Sequence, residues 1–401
     1  MRINKFVMIV LLSTLMMGQS WAQEDNKTEK KGYQFTDLKE VPHTSVKNQY
    51  RSGTCWSFSG LAFFEAEMMR MGKPEVDLSE MFVVWHSYFD KSLKYVRMHG
   101  TINYGGGGAF NDVMDVIRKY GMIPDTAYPG LQYNEPKHVH AEMDDLLLSM
   151  VNSIIKDKNR KLTPVWPLSI AGVLNAYLGE IPEKFTYQGK EYSPRSFADD
   201  YMGLDMDDYV MLTSYTHHPF YQPFILEVQD NWAWGQVYNL PLNELMETIN
   251  YGIENDYSVA WAADVSEKGF SKSSWVAVVP ENEAKNMNNL EASKWGNLTE
   301  KEKRKALYSF DGPRTEKKIT QELRQEAFDN YQTTDDHGML LVGTAKDQAG
   351  NHYFKVKNSW GTEQKYKGYF YASDAFVAYK TMSIMVHKSA IPKAIRKKLS
   401  I

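Results

Sequence analysis

Apolar residues recur three or four positions apart directly after Cys55, at Phe58, Leu61, Ala62, Phe63, Ala66 and Met69, until Gly72 and Pro74 end the run. That spacing predicts a largely buried helix. Asp77-Leu78-Ser79-Glu80 opens a second helical run through Trp85 and Tyr88. The four glycines Gly105 to Gly108 form a loop, and a third helix is predicted from about Phe110 to Tyr120, stopped by Gly121. Before all of these, Tyr33 to Asn48 is short and irregular, with Pro42 limiting regular structure. From about Pro136 to Tyr257 the pattern changes. Helical stretches such as Met143 to Ile155 and Ile170 to Leu178 alternate with loops rich in aromatic, proline and acidic residues. We read this region, about 136–257, as a mainly helical insertion. The polar stretch Glu281 to Arg304 predicts a surface excursion. Gly338 to Ala345, Tyr353 to Asn358 and Gly368 to Tyr371 then read as strands between glycine or polar turns. No internal repeat is apparent. Helices first and strands last make an α+β fold.

The N-terminus follows none of these patterns. Arg2 and Lys5 precede an apolar run from Phe6 to Met17, and Ser20 and Ala22 place small residues three and one before a cut. Residues 1–22 therefore read as a secretory signal peptide, which predicts an exported protein, periplasmic or secreted. The run is shorter than the about 20 apolar residues that a spanning helix needs, and no cysteine follows it to carry a lipid. Residues 23–32 read as a disordered leader, and 33–401 as the folded domain.

Composition narrows the classes further. With 43% hydrophobic and 24% charged residues the chain is that of a soluble globular protein with a sizeable core. Its 46 basic and 50 acidic residues are mixed in sign, which argues against nucleic acid as a partner. The stretch Lys388 to Lys398 carries five basic residues and no acid, and reads as a solvated helix face. No membrane insertion is expected.

The single cysteine becomes informative beside the export signal. Exported proteins usually pair their cysteines, and Cys55 has no partner in its own chain. It is either an inert buried residue or a free, reactive thiol. Its setting, Lys47-Asn48-Gln49-Tyr50-Arg51-Ser52-Gly53-Thr54-Cys55-Trp56-Ser57-Phe58, places it after a glycine turn at the first turn of a buried helix. Unpaired N–H groups and the positive end of the helix dipole favour a thiolate there. The Cys55 N–H and the Gln49 amide are the two donors that a tetrahedral oxyanion requires. A thiolate nucleophile also needs a general base and a group to orient it. Among ten histidines, His337 stands out at the mouth of the strand beginning at Gly338. Asn358 is placed to fix its ring, and Trp360 to shield that hydrogen bond. Taken singly, His337 also reads as a structural histidine and Asn358 as a turn residue. The close pairs His217-His218 and His138/His140 have no cysteine or carboxylate at zinc-like spacing, so they read as loop histidines, and no metal and no cofactor are expected.

Together these segments resemble the papain superfamily of cysteine peptidases. Gln49 matches the family's oxyanion glutamine, six residues before the nucleophile. Cys55-Trp56-Ser57-Phe58 matches the nucleophile and its helix, His337 the catalytic histidine, and Asn358-Ser359-Trp360-Gly361 the orienting asparagine and its turn. Leu78-Ser79-Glu80 also fits, and Gly107-Gly108 resembles the backbone that pairs with bound peptide. Ser52 stands where many secreted members carry a disulfide cysteine. The resemblance implies peptide substrates and a papain-like fold, with a helical left domain, a β-rich right domain and the insertion between them.

Two features narrow the resemblance. Cys55 and His337 stand 282 residues apart (337 minus 55), against about 130–150 in papain-like enzymes. Cys55 also lies only 33 residues after Ala22 (55 minus 22), too few for an inhibitory prosegment. Both resemble the bleomycin hydrolase and aminopeptidase C branch, as do Val173-Leu174-Asn175-Ala176-Tyr177-Leu178-Gly179, Pro182-Glu183-Lys184-Phe185-Thr186 and Tyr238-Asn239-Leu240-Pro241. That branch implies a homo-oligomer, a hexamer, and a C-terminal arm whose terminal carboxylate faces the substrate's free amine. This sequence stops at Ile401, soon after the helix-like Pro392 to Leu399, short of such an arm. Two expectations follow. One is an aminopeptidase in which Asp335 or Asp336 takes the carboxylate's part. The other is an exported papain-like endopeptidase. A non-catalytic protein keeping this fold is a further class, and loss of a triad member would mark it; all members are present.

Overall fold

The computed structural model describes residues 32–156, 161–281 and 299–401. Residues 1–22, read above as a signal peptide, and nearly all of the stretch read as a leader lie outside the described residues, as does most of the stretch from Glu281 to Arg304. Part of the stretch read as irregular, Tyr33 to Asn48, is strand β1 (Phe35–Glu40), paired with a later strand; helices α1 (Cys55–Arg70), α2 (Glu80–Arg97) and α3 (Phe110–Tyr120) follow, close to the bounds that the sequence predicts. Helix α1 is buried at every position from Trp56 to Met68, as expected of a helix apolar on all sides. Ser79 caps α2 by accepting a hydrogen bond from Phe82 N at 3.1 Å. Helix α3 stops at Gly121, whose φ is +90° and where an added Cβ would lie 2.3 Å from the Pro194 carbonyl oxygen. Only glycine meets both demands.

Helices α4 (Ala141–Ile155) and α5 (Trp166–Leu178) pack against α2 and extend this helical half. The remainder of 136–257 adds short strands to these helices. It contains the hairpin β2 (Phe185–Tyr187) and β3 (Lys190–Tyr192), then β4 (Tyr209–Thr213), β5 (Pro223–Ile225) and β6 (Gln236–Asn239). Helix α6 (Leu242–Glu254) follows and covers the main sheet. The insertion is therefore shared between the two halves of the fold. Strand β4 was not legible because all five of its residues are buried, so no apolar–polar alternation marks it.

After β7 (Val259–Ala263), β8 (Phe270–Ser271) and β9 (Val276–Ala277) come helices α7 (Glu300–Leu307) and α8 (Gln321–Asp329). The chain closes with β10 (His337–Asp347), β11 (His352–Lys357), β12 (Tyr369–Ser373), α9 (Asp374–Lys380), β13 (Thr381–His387) and α10 (Lys393–Leu399). The large sheet runs β5-β6-β4-β13-β7-β10-β11-β12-β9-β8. Strand β10 is its axis. One edge pairs with β11; the other pairs with β7 from His337 to Leu341 and with β1 from Gly343 to Asp347.

The pleat of β10 divides the interior. Leu340 and Val342 join the helical core with α1, while Met339 and Leu341 face the second core with Leu245, Ile249 and Ile253 of α6. Each such side chain contributes about 1.5–3 kcal/mol by burial, and a strand covered on both faces reads as a continuous apolar run. Helix α10 lies on the second core through Ile395 and Leu399, and its basic face stays largely in solvent, with Lys398 2.6 Å from Glu244. Among the described residues no helix is long and apolar enough to cross a membrane.

Candidate active site

Cys55 is the first residue of α1, where the helix dipole and the free N–H groups of the first turn point at its thiol. It lines a cleft with Trp56, Gly108, Asp230, Asp335 and His337. Burial pushes the thiol up, to about 12; the Gly338 N–H opposes this, Asp335 and Asp230 add to it, and the Trp56 N–H opposes it again. The helix start thus does not by itself yield the lowered thiol that the sequence suggests. A charge on sulfur here needs a counter-charge beside it.

His337 is the first residue of β10. Gly338 brings strand and helix together: a Cβ there would lie 2.6 Å from Ser59 Oγ and 3.2 Å from Trp56 Cα. The imidazole Nε2 is 2.8 Å from Asn358 Oδ1, which leaves Nδ1 as the nitrogen available to the thiol. Trp360 stacks on the ring at 4.7 Å, with 24° between the planes. Burial holds the imidazole down, at about 4, against the Asn358 hydrogen bond. Burial penalises a lone thiolate or a lone imidazolium. Moving the proton from Cys55 to His337 makes both charges at once, so each supplies what the other lacks.

One loop orients the rest. Asn358 Oδ1 also accepts from Ser359 N at 2.8 Å. Ser359 Oγ donates to Gln49 Oε1 at 2.6 Å, and Gln49 N donates to Ser359 O at 2.8 Å. Gln49 is thereby held with its amide Nε2 unspent among the described residues, as an oxyanion donor must be. Among the described residues Asn358 Nδ2 is buried without a partner, a cost of about 1–3 kcal/mol. That position serves orientation better than stability.

The glycine loop is fixed from beneath. Trp56 Nε1 donates to Gly106 O at 2.8 Å, and the buried Lys91 Nζ donates to the carbonyls of Gly105 and Gly107. Gly108 lines the cleft beside Cys55. Gly107 does not line it, and its carbonyl is turned to Lys91 rather than left open for a peptide; a Cβ on it would lie 2.2 Å from Asp230 Oδ1. Of the two expected substrate-binding glycines, only Gly108 faces the cleft.

Three carboxylates, Asp230, Asp335 and Asp336, line the cleft. Asp230 Oδ1 accepts from Asn103 Nδ2 at 3.0 Å. Asp335 has no hydrogen bond among the described residues, and burial, followed by the charges of Asp230 and Asp336, pushes it up to about 7. Asp336 is already engaged, by Ser266 N at 3.0 Å and Thr334 Oγ1 at 2.9 Å. Asp230 and Lys91 were invisible as site residues in the sequence, and Ser359 stood in the Asn358 motif without a role of its own. Asp230 and Lys91 belong to no motif and reach the site only through the fold.

The Peptidase C1-like family model matches residues 94–304 and 299–401, a span that includes His337 and Asn358 and begins after Cys55. Aminopeptidase C of Listeria monocytogenes serovar 1/2a is 22% identical over 430 residues, covering 96% of this chain and 90% of that protein. Aminopeptidase G of Lactobacillus delbrueckii subsp. lactis is 22% identical over 402 residues, covering 90% and 85%. The crystal structure of PepW from Lactobacillus rhamnosis HN001 superposes with a TM-score of 0.67 at 20% identity, over 91% of this chain and 84% of that one. That likeness shares the fold: helices against a β-rich half with the cleft between them. With the family model spanning most of the sequence, the chain belongs to the Peptidase C1-like family.

Proposed function

We propose that this chain is a cysteine aminopeptidase. The observation that carries the reading is one cleft holding Cys55 at a helix start, His337 tied to Asn358, and the carboxylates of Asp230 and Asp335. Cys55 sulfur attacks the carbonyl carbon of the first peptide bond as its proton passes to His337 Nδ1. The Cys55 N–H and Gln49 Nε2 receive the oxyanion. His337 returns the proton to the departing amine, leaving an acyl group on sulfur. Water, deprotonated by the now neutral imidazole, releases the acid. Asn358 and Trp360 keep the ring oriented and dry throughout.

Asp230 and Asp335 supply the restriction to chain ends. Both lie in the cleft with the nucleophile, and Asp335 has no other partner among the described residues. A free α-ammonium offers them charge-assisted hydrogen bonds that an internal peptide cannot. The names of the relatives, aminopeptidase C and aminopeptidase G, agree with this reading.

An amino-acid amide with a free amine should be cleaved at least about 100-fold faster, in kcat/KM, than its N-acetylated analogue, since a lost contact to a buried charge is worth roughly 1.5–3 kcal/mol and here the charge itself is lost. Asp335→Asn should erase most of that preference. Equal cleavage of the two substrates by the unaltered enzyme would instead establish an endopeptidase.

The reading extends to location. The basic start, the apolar run Phe6 to Met17 and the small residues Ser20 and Ala22 support export with cleavage after Ala22. N-terminal sequencing of the mature protein is expected to begin at Gln23; an intact Met1 would exclude it.

A further inference from the structure

We infer that His217, His218 and Glu227 form a binding site for a divalent transition-metal ion of the zinc type, beside the catalytic cleft. The fold assembles it from two segments. The histidines follow β4 and Glu227 follows β5, and their ligand atoms all lie within 4.8 Å of one another. His217 Nε2 is 3.0 Å from Glu227 Oε2, and His218 Nε2 is 2.8 Å from Glu227 Oε1. Zinc bound at about 2.0–2.1 Å holds tetrahedral donors about 3.3 Å apart, so an ion could replace the shared protons with small displacements. Water would complete the coordination.

The side chains are held ready for this. His218 stacks on Phe224 at 4.2 Å, and His217 stacks on Phe328 of α8 at 5.4 Å. The buried Asn239 Nδ2 grips the loop by donating to the carbonyls of Tyr215 at 2.7 Å and His218 at 2.9 Å. Gln325 lies against His217 Nδ1, with Oε1 at 3.4 Å and Nε2 at 3.1 Å. When Nε2 binds an ion, Nδ1 carries the proton and donates to Gln325 Oε1, the arrangement that fixes a metal-bound imidazole. Ordinary surface histidines lack this support. The spacing 217, 218, 227 hid the site, because the carboxylate arrives through a strand rather than a helix turn.

Location gives the ion a consequence. Glu227 sits between Leu226 and Val228, and these two, with Asp230 and Asn231, line the catalytic cleft. An ion on Glu227 therefore pins the segment that carries Asp230.

The test titrates zinc chloride into the full chain carrying Cys55→Ala, because the thiol and His337 are themselves zinc ligands. One equivalent is expected to bind and to raise the unfolding temperature. Adding His218→Asn or Glu227→Gln should weaken binding at least about tenfold; metal-free unfolding temperatures establish that each variant is folded. X-ray absorption at the zinc edge should report two imidazoles with oxygen donors. Absence of binding at about 0.1 mM zinc, or an affinity unchanged in both folded variants, overturns the assignment.

Discussion

Cys55→Ala is expected to lower kcat for a free-amine substrate by on the order of 10⁵-fold while leaving the fold intact. The magnitude follows from the chemistry. Without sulfur there is no acyl-enzyme, and His337 is left without the nucleophile that it activates. Stability should change by about 1 kcal/mol or less, because Cys55 is half-buried and alanine suits a helix start. Turnover in the variant and far-ultraviolet circular dichroism check the two halves of this statement. Activity within about tenfold of the parent would remove Cys55 from the mechanism.

The second large effect concerns pH, and its sign separates two groups. Alkylation of Cys55 by neutral iodoacetamide needs only the thiol and a neutral imidazole. Burial keeps His337 neutral down to about 4, so alkylation should persist as pH falls and be lost only near pH 4. Hydrolysis of a free-amine substrate also needs Asp335 charged. Its carboxyl is pushed up to about 7, by burial first, so it is ionised above that value and protonated below it. The ratio kcat/KM, which reports free-enzyme groups, should therefore fall as pH drops through about 7. The substrate's ammonium persists up to about pH 8, so the window of activity is narrow. At pH 5 the two measurements should differ by about 100-fold relative to their plateaus. Asp335→Asn should abolish the bend near 7 and leave the alkylation limb near 4. Coincident limbs in the unaltered enzyme would deny Asp335 this role.

How much of this was legible in the sequence differs between the site's parts. Gln49, Cys55, His337 and Asn358 were legible because each stands in a short motif of fixed spacing, and the structure draws all four to one place. Helices α1 to α5 were legible from apolar periodicity and glycine stops. Strands β4, β7 and β13 were not, since the sheet is covered on both faces and their residues show no alternation. The same coverage explains why the strands inside the mainly helical span 136–257 went unread. Gly107 illustrates a limit of motif transfer: its neighbour Gly108 faces the cleft, yet its own carbonyl is claimed by Lys91 from another helix. The thiol's environment was misjudged for a related reason. The helix start was visible, but the burial that outweighs it depends on Asp230, Asp335 and the approach of Gly338, residues 175 or more positions away in sequence (230 minus 55).

The claim on which the rest depends is that Cys55 carries the acyl group. Acid-quenching the enzyme during turnover of an α-amino-acid ester, followed by mass spectrometry of the intact chain and its peptides, tests it most directly. A single acyl adduct is expected on the peptide containing Cys55, accumulating at the rate of the first product and discharged by water. Sustained turnover with no adduct, or an adduct on any other residue, would contradict it.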